Sequence, residues 1–219
     1  MKAVIFDFNG TMVFDGIYHD QAWKAFSKRI RGFELSDDEL NHKIHGTVNE
    51  KIIEYLKPGV CKEENKQLSL EKEALYREMC VQDKENYKMV NGLKEYLDYL
   101  KAKEIPFTIA SASIKENMDF FVEVFELEKW IKKETIVYND DTHLDKKSMF
   151  LEAAFRLGVD IKDYIIFEDS FTGVKCAKEI GCNKIVAIPL DMYRKEFENI
   201  DGVIFTIKDY TDQRLMEVI

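Results

Sequence analysis

The chain has 219 residues, 46% of them hydrophobic, enough to bury a full core in one domain or in a core that carries an insertion. Its formal net charge of −9 opposes nonspecific nucleic-acid binding, which draws affinity from Lys and Arg neutralising phosphates. No apolar run approaches the roughly 20 residues that span a bilayer, and Lys2 leads directly into the short run Ala3-Val4-Ile5-Phe6 rather than a secretory core, so a cytoplasmic protein with neither membrane nor nucleic-acid partners is expected.

Residues 3–6 form a continuous apolar run closed by Asp7 and the turn signal Asn9-Gly10, the pattern of a buried parallel strand. From about residue 16 to 85 helical periodicity dominates: Ala22, Trp23, Ala25, Phe26 and Ile30 suit one apolar helix face, and Leu40, Ile44, Ile52, Ile53 and Leu56 suit others. Pro58-Gly59 breaks the pattern, and a charged helix is expected from about Ser69 to Tyr87. Four further apolar runs then alternate with helical patterns, at 106–110, 135–138, 164–167 and 185–188, the last read as the final strand. The expected fold is α/β: a doubly wound, Rossmann-like parallel sheet built from 1–15 and 86–219, with 16–85 inserted as a helical cap subdomain. Cys61, Cys80, Cys176 and Cys182 lack any paired short spacing and are read as reduced packing residues.

In open parallel sheets ligands bind beyond the carboxyl ends of the strands. The polar residues there are Asp7-Phe8-Asn9-Gly10-Thr11, Ser111-Ala112-Ser113 and Glu168-Asp169-Ser170. Asp7, Glu168 and Asp169 would crowd one sheet edge, and like charges so placed need a hard cation such as magnesium. The plainer reading is that Asp169 or Ser170 only caps the helix that opens near Phe171.

These motifs, DFNGT after the first strand, a strand ending in SAS, and IIFEDSFTG, resemble those of the haloacid dehalogenase superfamily, in the branch of β-phosphoglucomutase and phosphoglycolate phosphatase. The cap segments around His19-Asp20-Gln21-Ala22-Trp23 and Lys72 to Tyr76 resemble that branch too. The resemblance implies a magnesium-dependent phosphohydrolase acting on a small phosphomonoester. Asp7 would be the nucleophile that becomes phosphorylated. Asp7, the Asn9 carbonyl, Glu168 and Asp169 would hold the metal, and Ser111 with the Ala112 N–H would hold a phosphoryl oxygen. The family lysine falls on Lys146, with Lys147 as the near alternative, in the segment His143-Leu144-Asp145-Lys146-Lys147 that lacks the usual Gly-Lys-Pro. His19, His45, Gly46, Asn49 and Lys72 are the expected substrate-binding positions, with cap closure pivoting on linkers near 14–16 and 87–92. A monomer or weak dimer is expected.

Two departures matter. Family phosphatases carry a second aspartate two residues after the nucleophile, and here Asn9 stands there, so general acid–base catalysis worth about 10²–10⁴-fold is lost. Turnover is expected to be slow and to favour acidic leaving groups. The cap arginine that grips a second phosphate in β-phosphoglucomutase is replaced by Asn49, which disfavours a bisphosphorylated sugar cycle. The alternatives are a β-phosphoglucomutase-like phosphotransferase and a non-catalytic phospho-ligand sensor. A halide-removing enzyme would leave Glu168 and Asp169 idle.

Overall fold

The computed structural model describes residues 2–140, 142 and 145–219, so His143 and Leu144 of the expected lysine segment lie outside the described residues. Its elements in chain order are β1 (Ala3–Phe6), α1 (Gly16–Arg31), α2 (Asn49–Leu56), α3 (Lys62–Gln82), α4 (Leu93–Ala102), β2 (Phe107–Ile114), α5 (Lys115–Val124), β3 (Val137–Asn139), α6 (Lys146–Leu157), β4 (Tyr164–Glu168), α7 (Phe171–Glu179), β5 (Ile185–Ala187), α8 (Arg194–Glu198) and β6 (Val203–Thr206), with short helical turns between them. The chain forms two compact units, Met1–Phe14 with Lys88–Ile219, and Asp15–Tyr87.

The first unit is a six-stranded sheet of order β3-β2-β1-β4-β5-β6, every pairing parallel. β1 lies between two partners and is apolar throughout because both its faces are covered. Its alternation sorts the core: Ala3 and Ile5 pack with Met149, Phe150 and Ala153 of α6 and Val174 and Ala177 of α7. Phe6 stacks on Phe167 at 4.8 Å and meets the ring edges of Tyr96 and Phe107. Register then places the chemistry. Phe6 pairs with Ile109 on one side and Phe167 on the other, and the Asp7 N–H donates to the Phe167 carbonyl at 3.0 Å. Asp7 therefore leaves the sheet beside Glu168.

Three boundaries correct the sequence reading. The 185–188 strand is not the last, because β6 follows as an edge strand built on the apolar run Val203-Ile204-Phe205, which the sequence reading passed over. β2 runs on to Ile114, so Ser111 and Ser113 lie on the strand and not beyond it. Within the second unit, the long charged helix begins at Lys62 rather than near Ser69 and ends at Gln82, because its first turns are polar and show no apolar stripe. That unit's core gathers Trp23, Phe26, Leu35, Leu40, Ile44, Ile52, Ile53, Leu56 and Leu68. Cys80, Cys176 and Cys182 are buried thiols, whereas Cys61 is exposed and does not pack.

Candidate active site

The turn after β1 is tied down by its own backbone. The Thr11 and Met12 N–H groups return to the Phe8 carbonyl, and the Gly10 N–H donates to the Val13 carbonyl at 2.8 Å. Gly10 has φ +75°, and a Cβ there would lie 2.1 Å from Asp169 Oδ2, so glycine is required for the turn and for the approach of that carboxylate. Gly173 serves Glu168 likewise, because its missing Cβ would fall 2.1 Å from the Glu168 carboxyl. Ser170 caps α7 by accepting from the Gly173 N–H at 3.0 Å while donating to Glu168 Oε1 at 2.7 Å. Capping thus belongs to Ser170, and Asp169 is left to the sheet edge.

Asp7, Glu168 and Asp169 each bring a carboxylate oxygen to within 4.8 Å of the others. Lys146, the first residue of α6, hydrogen-bonds Asp7 Oδ1 and lies 3.5 Å from Glu168 Oε2. Asp145 caps that helix from outside, accepting from the Ser148 N–H at 2.9 Å, which aims the following lysine. Lys147 turns the other way and pairs with Glu179, so of the two candidate lysines it is Lys146 that reaches Asp7.

The electrostatics follow from one ammonium among three carboxylates. Burial, followed by Asp7, pushes the Glu168 carboxyl up to about 7. Burial, followed by Glu168 and Asp7, pushes Asp169 up to about 9. For Lys146 burial opposes the charge, yet Asp7 and Glu168 outweigh it and hold the ammonium above the usual lysine range. Glu168 Oε2 is sealed from solvent and receives no hydrogen bond. A buried carboxylate oxygen that receives no hydrogen bond, grouped with two further carboxylates, fits a hard divalent cation such as magnesium, with Asp7, Glu168 and Asp169 as oxygen donors.

Sequence reasoning left several contributors without a role. Ser113 Oγ donates to Asn9 Oδ1 at 2.6 Å, with Ser111 Oγ at 3.5 Å from the same oxygen. Thr11 Oγ1 lies 3.4 Å from Asp7 Oδ2. Tyr210, beyond β6, donates its hydroxyl to the Thr11 carbonyl at 3.3 Å. Ser113 was visible in the motif; Tyr210 lies 199 residues from its partner and carries no local signal.

The other expected residues lie in the second unit and group among themselves. Lys72, 1% exposed, donates to Glu73 Oε1 and His19 Nδ1, each at 2.9 Å. Asn49 donates to the same Glu73 oxygen at 2.7 Å and to Ser69 at 3.1 Å. His19 stacks on Tyr76 at 3.9 Å, and Tyr76 donates to Asp15 at 2.5 Å. Outside this network, His45 pairs with Asp20 at 2.8 Å on the surface, and Gly46 has open space around it.

The family model for haloacid dehalogenase-like hydrolases matches residues 4–187. The chain belongs to that family. A crystal structure of a HAD hydrolase, family IA, variant 3, from Entamoeba histolytica is 35% identical, covers 99% of this chain and 97% of its own, and superposes with a TM-score of 0.91. The phosphorylated carbohydrates phosphatase of Thermotoga maritima is 25% identical over 195 residues, 86% of this chain and 85% of that one. A β-phosphoglucomutase structure from Clostridium difficile, 18% identical with a TM-score of 0.75 over 100% of this chain and 96% of that one, shares the fold. In this haloacid dehalogenase-like hydrolase the matched segment contains Asp7, Ser111, Lys146, Glu168 and Asp169.

Proposed function

We propose that this hydrolase is a phosphatase that takes the phosphoryl group from a small phosphorylated metabolite through Asp7, with Met1–Phe14 and Lys88–Ile219 as its catalytic core and Asp15–Tyr87 as its helical cap. The observation that carries the reading is the cluster of Asp7, Glu168 and Asp169 with Lys146 at the carboxyl edge of the sheet. Its surplus of negative charge has no use in a packed core and a clear one around a cation and a phosphate.

Asp7, the Asn9 carbonyl, Glu168 and Asp169 would hold magnesium, which would supply positive charge between an anionic phosphate and an anionic nucleophile. The chain's own residues do the rest. Lys146 is hydrogen-bonded to Asp7 and is placed to receive an equatorial phosphoryl oxygen, joined by the Ser111 hydroxyl and the Ala112 N–H. An Asp7 oxygen forms its bond to phosphorus as the bond to the leaving oxygen breaks, and water then opens the aspartyl-phosphate. Asn9 can neither give a proton to the leaving oxygen nor take one from the attacking water, so turnover is slow by about 10²–10⁴-fold relative to a site with a carboxyl there.

The Thermotoga maritima relative's name supports a phosphorylated carbohydrate as substrate. Lys72 is already balanced by Glu73, and Asn49 brings no charge, which supports a monophosphate over a bisphosphate. The test is a screen of sugar, nucleotide and small-acid monophosphates with and without magnesium, using Asp7→Asn as the blank. Phosphate release above the blank that requires magnesium is expected. None above the blank contradicts the reading.

A further inference from the structure

Asn9 is a built part of the site. Ser113 Oγ donates to its side-chain oxygen at 2.6 Å, and the Ser113 N–H in turn donates to Ser111 Oγ at 3.2 Å, so β2 fixes how the amide is turned. The flanking backbone is held as well, through the Asn9–Val13 bridge and the Gly10 N–H to Val13 carbonyl bond at 2.8 Å. An aspartate at position 9 would accept the same Ser113 hydroxyl with one oxygen and set its other oxygen where the amide nitrogen now lies. The exchange from carboxyl to amide therefore alters proton chemistry with little change of shape.

The titratable groups described around Asp7 offer no replacement. Lys146 is an ammonium bonded to Asp7 itself, Glu168 and Asp169 face the cation position, and no histidine occurs among the described residues of this unit. The two half-reactions feel this loss unequally. Forming the aspartyl-phosphate requires a proton only when the leaving oxygen is basic. A carboxylate, with a conjugate-acid pKa of about 4, departs as an anion and needs none. With an acyl phosphate, the Asp7 oxygen–phosphorus bond forms, the acyl oxygen–phosphorus bond breaks, and the electron pair leaves on the free carboxylate. Clearing the enzyme is different, because the attacking water must give up a proton as phosphate departs and Asp7 is restored.

We propose that acyl phosphates are the donor class that phosphorylates Asp7 most readily at this site, and that with such a donor the enzyme accumulates as its Asp7-phosphate. The proposal rests on the phosphatase reading above. It makes Asn9 the residue that sets the lifetime of a phosphorylated state, and Ser113 the residue that positions it.

The experiment mixes the full chain with acetyl phosphate and magnesium, quenches in acid, and reads intact mass and the phosphorylated residue. It then removes the donor and follows loss of the phosphoryl group, for the native chain, Asn9→Asp and Asp7→Asn. The expected result is near-stoichiometric phosphorylation of the native chain at Asp7, decaying about 10²–10⁴-fold more slowly than in Asn9→Asp, and none in Asp7→Asn. Equal decay in the native chain and Asn9→Asp overturns the inference and leaves the phosphatase reading intact. So does an unphosphorylated native chain when Asn9→Asp consumes acetyl phosphate. If neither protein is phosphorylated nor consumes the donor, this inference is overturned, while the phosphatase reading stands or falls on the monophosphate screen.

Discussion

Lys72 and Lys146 are both withdrawn from solvent, one in each unit, and they differ in how their charge is answered. Lys72 meets one carboxylate, Glu73, and shares it with the Asn49 amide while its ammonium also reaches His19. Burial lowers its pKa first, with Glu73 resisting; burial works against Glu73 as well, but Lys72 wins and holds that carboxyl at about 2. Asp15, also buried, joins this network through Tyr76 and His19, so each of its carboxylates has a partner within the unit. Lys146 faces Asp7 and Glu168, with Asp169 beside them, and Glu168 keeps an oxygen that nothing hydrogen-bonds. A buried ion pair that balances is explained by packing, whereas a surplus of one sign calls for a ligand of the other.

The comparison breaks most visibly at the nucleophile: Asp7→Asn should reduce phosphate release to the rate of the enzyme-free blank. Next, Lys72→Met leaves Glu73 buried without its cation and should cost about 3–5 kcal/mol in denaturant unfolding, while Lys72→Met with Glu73→Gln should recover much of that loss. A double variant no more stable than the single one would refute the balanced-pair description. Lys146→Met should lower kcat by about 10²–10³-fold, the usual effect of removing one preorganised donor to a phosphoryl oxygen, with a smaller change in KM.

The pH dependence sharpens the contrast. Folding raises the Glu168 carboxyl from 4.5 to about 7 and the Asp169 carboxyl from 3.8 to about 9. The folded chain therefore holds protons the unfolded chain has lost, and metal-free stability should fall as pH rises through those windows. Thermal unfolding in chelator should show a declining Tm from about pH 5 to about pH 9, and magnesium should raise Tm most at the alkaline end, where it stabilises the ionised carboxylates. Glu73, held at about 2, works in the opposite direction: its contribution is present above 4.5 and disappears only as pH falls toward 2. The smallest effect is expected of Tyr210→Phe, which deletes one hydrogen bond to the Thr11 carbonyl and should cost about 0.5–1.5 kcal/mol.

How much of this was legible in the sequence depends on how local its cause is. β1, β4 and the motif residues after them stand out because a strand covered on both faces must be continuously apolar and must stop at its first charge, as Phe6-Asp7 and Phe167-Glu168 do. β6 was missed although Val203-Ile204-Phe205 is a continuous apolar run, because no motif residue follows it to mark a strand end at the site. The polar start of α3 gave no periodic signal because its first turns, before Leu68, bury no side chain. The choice between Lys146 and Lys147 could not be made from spacing, since it turns on which side of the first turn of α6 faces β1. Asn49 was read through the substrate it fails to grip, and its bond to Glu73 is a contact between helices 24 residues apart that no motif encodes.

The claim beneath the whole account is that Asp7, Glu168 and Asp169 bind one divalent cation together. Calorimetric titration of the metal-free chain with magnesium tests it directly, beside Asp169→Asn. One ion per chain is expected, with affinity lowered at least about tenfold in the variant, since loss even of a ligand's supporting partner commonly costs about 10–100-fold. Affinity unchanged by Asp169→Asn, or no binding to the native chain, would contradict it.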